Sequence, residues 1–312
     1  MTLATQGLHS SNSLTETIVK ACPVLLCALA AAVPGRFGLV NIGAEGQLLL
    51  GAIGAMLVVN TLPAGTPPVA MLPAMAVGAC LFGAGCGLLP GLLRAATHAS
   101  ETVISLLLNY VAGLLVLHLI HGAWRDPGGF GWPQTALLPD SARLAGIAGT
   151  RIHVVFFLAL GLCVLLSIVA RRTTLGLVAR LIEANPPTAE YIGIRISRSY
   201  VAAFAVGGLL AGLAGFAELA AIQGRLRDGM SLGYGYAGFF VAWLCRNRFE
   251  WLPAGAILFA AVVTGADSLQ VVSGMPFATV YLLQALIFLA LLGFPAVHER
   301  IRSRIEAGAP AS

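Results

Sequence analysis

Charge is what this sequence has least of. Asp, Glu, Lys and Arg make up 10% of its 312 residues, and Lys20 is its one lysine. A water-soluble domain draws on about 25% charged residues. A polar surface cannot be built from this supply, so a soluble globular fold is excluded. The phosphate-cradling pattern G-x-x-x-x-G-K-[ST] is missing, so the chain cannot bind ATP in that manner by itself. H-E-x-x-H and G-x-S-x-G are missing too, which removes zinc-protease and hydrolase readings. The six cysteines form no C-x-x-C pair and lie in or beside apolar stretches, where they read as small packing residues rather than metal ligands. His9, His98, His118, His121, His153 and His298 are scattered and unpaired. No nucleophile and base sit together, so the chain is not expected to be an enzyme. Aromatic and basic residues do not interleave as they do in base-stacking proteins, so nucleic acid is not an expected partner. The first sixteen residues hold no Lys or Arg, so no signal peptide is expected.

What fills the space is apolar: 58% of residues are hydrophobic and the mean hydropathy is +0.88. The expected fold is all-α, a polytopic transmembrane helical bundle of about nine spans in one membrane domain. The spans fall roughly at 17–34, 46–62, 68–93, 101–121, 152–170, 199–222, 234–246, 251–271 and 277–295. The seventh is short and reads as a half-span or a helix packed tightly inside the bundle. Gly207–Gly215, "GGLLAGLAG", sets Gly208 with Gly212 and Ala211 with Gly215 at the four-residue spacing that lets helix backbones approach. Residues 1–16 form a polar tail, 17–297 the membrane domain and 298–312 a second tail. With the 171–198 loop placed inside, twelve of the basic residues fall inside and six outside or near the outer face. The N-terminus is then outside and the C-terminus cytoplasmic, and membrane lipid is a partner.

The connection at 171–198 carries a local signal. Asn185 can cap a helix opening on Pro186-Pro187, where the missing N–H costs nothing, and Gly193 can stop it. A rigid helix at roughly 186–192, with Ala189 and Ile192 on one face, is shaped to dock into a partner's groove or to rest on lipid. A faint echo links Gly91–Ser105 to Gly176–Gly193 and suggests a duplicated fold. The long outer connection at 122–151, with Trp124 and Trp132, reads as a functional loop or as an interfacial anchor.

Polar residues at membrane depth are costly and face a cavity or a partner. Asn41, Glu45, Gln47 and Asn109 are such residues, and they are the candidate solute path; Asn109 reads equally as an interhelical hydrogen-bond partner, and Glu45 reads also as a structural acceptor at the break. Glu101, Glu218 and Asp267 sit near span ends, where water is expected to solvate them. "VPGRFGLVNIGAEGQ" breaks one span at Pro34-Gly35 and starts the next after Asn41. Broken helices are tolerated where they line a cavity or are buried in protein, and their freed N–H groups can bind solute or donate to a carboxylate.

"GLVNIGAEGQLLLGA" and "GLVARLIEANPPTAEYIGI" resemble the permease subunits of bacterial ABC importers. The similar branch handles nucleosides or simple sugars and is related to ribose and branched-chain amino acid permeases. "ETVISLLLNYVAG" and "RDPGGFGWPQTALLPDSARL" support it, and the resemblance covers nearly the whole chain. It implies alternating access in the bacterial inner membrane. ATP would be bound by separate ATPase subunits, with no cofactor on this chain. A second permease subunit, the same chain or a different one, and a substrate-binding lipoprotein or periplasmic protein would complete the assembly. Arg180, Glu183, Asn185, Pro186, Ala189, Tyr191 and Gly193 would form the coupling contact with the ATPase. Nucleosides or nucleobases come first as substrate and simple sugars second; an ion-coupled secondary transporter using Glu45 or Asp267 is the alternative of another class. In two places the sequence departs from the family. Family members begin one span earlier than Thr15-Glu16-Thr17, so divergence or a start assigned too late is expected. Trp243 and Cys245 stand where smaller residues are usual, and Trp243 joins the candidate path as a residue that narrows it.

Overall fold

The computed structural model describes residues 11–273, save 64, 98, 130 and 148, together with 282, 285 and 286. Its helices are α1 (Ser11–Gly35), α2 (Ala44–Thr61), α3 (Pro68–Thr97), α4 (Glu101–His121), α5 (Val154–Arg172), α6 (Thr174–Ala184), α7 (Pro186–Tyr191), α8 (Ile196–Ala217), α9 (Tyr234–Leu244) and α10 (Leu252–Ser273). Residues 18–260 form one compact body; residues 1–17 and 261–312 group as a second. Among the described residues there is no β-strand, and seven helices are long and apolar enough to cross a membrane. Eight of the expected spans match helices; the seventh of them, α9, is too short to count as a full span. The expected span at 277–295 lies outside the described residues apart from 282, 285 and 286; among the described residues the bundle shows seven full-length helices and a half-length one.

Inside the first body, α1 sits at the centre, with Ala21 to Gly35 buried throughout. A helix that is apolar all round belongs in an interior. Around it, α2, α3 and α8 close on one another through glycine. An added Cβ on Gly83 would strike the Gly208 carbonyl, one on Gly212 the Ala79 carbonyl, and one on Gly215 the Leu48 carbonyl. The small stripe expected on α8 therefore meets a second one on α3, Ala79, Gly83 and Gly87, which recurs every four residues in line with buried Met71 and Met75. Helix α4 shows the inverted layout of a membrane protein. Its buried stripe is Glu101, Ser105, Asn109, Ala112, Val116 and Ile120, while Val103, Leu107, Val111 and Leu114 face outward. Apolar residues on this scale at a surface call for lipid rather than water.

In the connections, one element departs from expectation. Helix α6 fills what reads as loop: Gly176, Ala179 and Ile182 recur every third residue and are buried, and Gly176 lets the chain turn tightly against the Ala170 carbonyl. The two echoing stretches, 91–105 and 176–193, each run from one helix through a short break into the next. The first stretch finishes α3 and opens α4, while the second builds α6 and α7. The outer connection is tied down to the segment after α8 at several points. Thr135 N–H donates to Leu226 O at 2.9 Å, Leu138 N–H to Gly224 O at 2.8 Å and Leu144 N–H to Ala220 O at 2.9 Å.

Candidate functional site

Helix α1 stops at Gly35, and the chain folds back alongside it before α2 starts at Ala44. That return is stitched by amides. Asn41 Nδ2 donates to Ala30 O at 3.1 Å and to Gln47 Oε1 at 3.2 Å, and Gln47 Nε2 donates back to Asn41 Oδ1 at 3.2 Å. Asn41 Oδ1 also accepts from Gly43 N–H at 3.0 Å. Asn109 reaches in from α4: its Oδ1 accepts from Gly46 N–H at 2.8 Å, and its Nδ2 donates to Ile42 O at 3.0 Å and to Tyr236 Oη at 3.3 Å. Gly43 and Gly46 are required by proximity, because a Cβ on Gly43 would press on Ser105 and one on Gly46 on the Asn109 backbone. The break thus satisfies its own backbone groups, the condition for irregular chain inside a bilayer.

Glu45 belongs to a second break. After Ala217 the backbone of α8 widens into a π turn over Glu218–Gln223, Gly224 reverses the chain, and α9 starts at Tyr234. Gly238 of α9 packs on Cys27 and Ala28 of α1, and Asn247 just past α9 packs on Gly35. So α9 runs parallel to the second half of α1. Its 11 residues span about 16 Å, roughly half of a hydrocarbon core. Its N-terminus points into the bundle, and Glu45 closes it: Oε2 accepts from Gly235 N–H at 2.7 Å and Oε1 from the Ser231 hydroxyl. The positive end of a helix attracts an anion, and charge-assisted hydrogen bonds are the stronger kind. Here the anion is the protein's own carboxylate. Gly235 lies so close to the backbone of Ala44 and Glu45 that no side chain fits between them.

Asn41, Glu45, Gln47 and Asn109 therefore come together, all buried, joined by Ser231 and Tyr236. Trp243 does not join them. It is 51% exposed in the last turn of α9, eight residues and about 12 Å beyond Gly235. Ser231 and Tyr236 were not singled out from sequence; the glycine-flanked "SLGYGY" around them, with Gly233 at φ +79, was the available signal.

The residues near span ends separate. Glu101 is buried; it accepts from Val40 N–H at 3.4 Å and pairs with Arg94 at 3.4 Å, so protein rather than water satisfies it. Glu218 is fully buried, because α8 continues past it as the π turn; its Oε1 accepts from Gln223 Nε2 at 2.8 Å. Asp267 falls in the second body, in α10. His153, just ahead of α5, is 1% exposed with neither ring nitrogen hydrogen-bonded, and burial lowers its pKa to about 4.

The capped helix forms as its residues require. Asn185 Oδ1 accepts from Thr188 N–H at 3.2 Å, Pro186 opens α7, and Gly193 follows at φ +89 with its N–H on Glu190 O at 2.9 Å. Arg180, Glu183, Asn185, Pro186, Tyr191 and Gly193 are exposed, Tyr191 at 92%. Ala189 is the exception: it is buried, turned into the protein, and Ile192 is exposed instead of sharing its face. One end of the first body gathers these groups. Gly38 lies against Glu183, Arg171 pairs with Glu250 at 2.7 Å, and Arg36, Arg198 and Phe249 line a common cavity.

Comparison with known proteins yields a consistent set. The family described as "Branched-chain amino acid transport system / permease component" matches residues 13–292. The chain is 37% identical to the glucose ABC transporter permease protein TsgB13 of Haloferax volcanii, over 92% of this chain and 78% of that one. It is 30% identical to the nucleoside ABC transporter permease protein NupB of Lactococcus lactis, over 84% and 74%. It is 28% identical to the guanosine ABC transporter permease protein NupP of Bacillus subtilis, over 88% and 79%.

Proposed function

The chain belongs to the family of branched-chain amino acid transport system permease components, and from that premise we propose that it carries a neutral, hydroxyl-rich solute, nucleosides before simple sugars. It is a multi-pass membrane protein and a permease subunit of an ABC transporter. ATP is bound and split on separate ATPase subunits, and a solute-binding protein delivers cargo at the opposite face. A second permease subunit completes the path, which runs beside the two helix breaks at Asn41–Gln47 and Ser231–Tyr236. The inner membrane of a bacterial cell is the expected location, with the arginine-rich end and α7 in the cytoplasm.

The observation that carries the coupling role is the exposed, Asn-capped α7 standing at that arginine-rich end. Tyr191 and Ile192 supply its docking surface, while buried Ala189 anchors it. The neutral character of the solute follows from the breaks. Their charged member, Glu45, is already held by Ser231 and Gly235, which leaves amides and the Tyr236 hydroxyl as the polar groups in reach. The nucleoside reading rests on the NupB and NupP relatives; the sugar reading is supported by the higher identity to TsgB13.

The test is reconstitution in proteoliposomes with the cognate ATPase, partner permease and binding protein. Uptake of labelled guanosine or glucose should require ATP. Uptake that proceeds without ATP and collapses with an ion gradient would replace the importer with a secondary transporter.

A further inference from the structure

A cavity of about 380 Å³ opens at the arginine-rich end of the first body, between the end of α1, the end of α5, α6 and the start of α8. Its walls are Val33, Phe37, Leu166, Leu175, Val206 and similar apolar residues; the polar groups are Arg36, Arg198 and Ser199. Arg36 is half-buried, and its Nε is enclosed and makes no hydrogen bond. Arg198 stands exposed, and no carboxylate is among the lining residues. A half-buried guanidinium with an enclosed, unpaired nitrogen is costly unless an anion joins it, and Arg198 adds a second cation on the same rim.

Helix α6, which forms one wall, has the character of an interfacial helix. Its buried face is Gly176, Ala179 and Ile182, while Leu175 and Leu177 are exposed and Arg171, Arg172 and Arg180 flank it. Such a helix lies where acyl chains meet headgroups. A soluble anion would match the guanidinium groups but leave the apolar walls uncovered; a neutral lipid would do the reverse. An anionic phospholipid satisfies both halves, and basic pockets between membrane helices are where such headgroups bind.

We propose that this cavity is a binding site for one anionic phospholipid, its phosphate held by Arg36 and Arg198 and an acyl chain lying between α1, α5 and α8. Because α6 leads directly into α7 through Asn185, a lipid in this slot also supports the base of the helix that presents Tyr191.

Native mass spectrometry of the full-length chain, released from detergent with dioleoyl-phosphatidylglycerol, dioleoyl-phosphatidylcholine or inorganic phosphate, tests the site. Wild type should retain one phosphatidylglycerol and bind it at least about tenfold more tightly than phosphatidylcholine. The double variant Arg36→Gln/Arg198→Gln should lose that preference while melting as wild type does. Ala202→Phe, at an exposed position on the cavity wall, should block retention from the apolar side and serves as a second handle if the arginine variants unfold. Equal retention of the two lipids, retention unchanged in both variants, or no bound lipid in wild type would overturn the proposal. Displacement of phosphatidylglycerol by millimolar inorganic phosphate would also overturn it, by showing an anion site without a lipid.

Discussion

Glu45 looks at first like a reactive group stranded in lipid, and its neighbours give it a different task. It supplies the negative end that α9 needs where that helix begins inside the bundle. Removing it leaves the Gly235 N–H and the Ser231 hydroxyl buried without an acceptor, at about 1–3 kcal/mol for each. Glu45→Ala is therefore expected to lower the melting temperature in detergent and the yield of assembled complex, and Glu45→Gln, which keeps one oxygen, to lower them less. Identical melting of both variants and wild type would remove the capping role. His153 makes a pH-dependent contribution. Its folded pKa of about 4 lies below the ordinary value near 6.5, so between these values the unfolded chain takes up a proton that the folded chain refuses. Stability is then full above about pH 6.5 and falls as pH drops toward 4, by on the order of 3 kcal/mol in total. Thermal melts across that range should show the slope in wild type and a flatter profile in His153→Leu.

At the scale of elements, the glycines divide into those that make contacts possible and those that do not. Gly83 faces the Gly208 carbonyl with no room for a methyl group, whereas a Cβ on Gly85, two residues on in the same helix, would meet open space. Gly83→Ala should cost folded yield and melting temperature; Gly85→Ala should be neutral or raise stability by up to about 1 kcal/mol through helix propensity. Equal behaviour of the pair in a melting assay would contradict the close packing of α3 on α8. For α7, exposure separates docking from anchoring. Tyr191→Asp should leave melting unchanged and uncouple ATP hydrolysis from uptake. Ala189→Arg should instead destabilise the chain, because an arginine cannot be accommodated where Ala189 is buried. Wild-type coupling in Tyr191→Asp would move the ATPase contact elsewhere on the arginine-rich end.

Within the body of residues 18–260, the arrangement is a central apolar α1 wrapped by helices whose small or polar stripes face in and whose leucines and valines face out. Long apolar runs, the capped Pro-Pro helix and the α1 break at Pro34-Gly35 were legible in the sequence because each depends on neighbours within a few residues. Helix α6 was harder to see, since three buried small or apolar residues at i, i+3 spacing stand out only once there is a body for them to pack against. The outer connection was legible as long and proline-rich, but its docking on residues 220–226 depends on backbone bonds between segments 76 to 91 positions apart.

What the sequence by itself determined is the membrane class, the site of the first helix break and the cap of α7. Too little charge for a water-facing surface and the fixed chemistry of Asn, Pro and Gly act over short range. Only the tertiary structure decided what the buried polar groups do. It placed Glu45 on the end of α9, 190 positions away in sequence, drew Asn109 to Gly46 and Tyr236, turned Ala189 inward and left Trp243 on the outside. A carboxylate in a bilayer must find donors, and which donors reach it depends on how helices cross. That crossing is set by glycine contacts between α2, α3 and α8, and by α9 folding back beside α1.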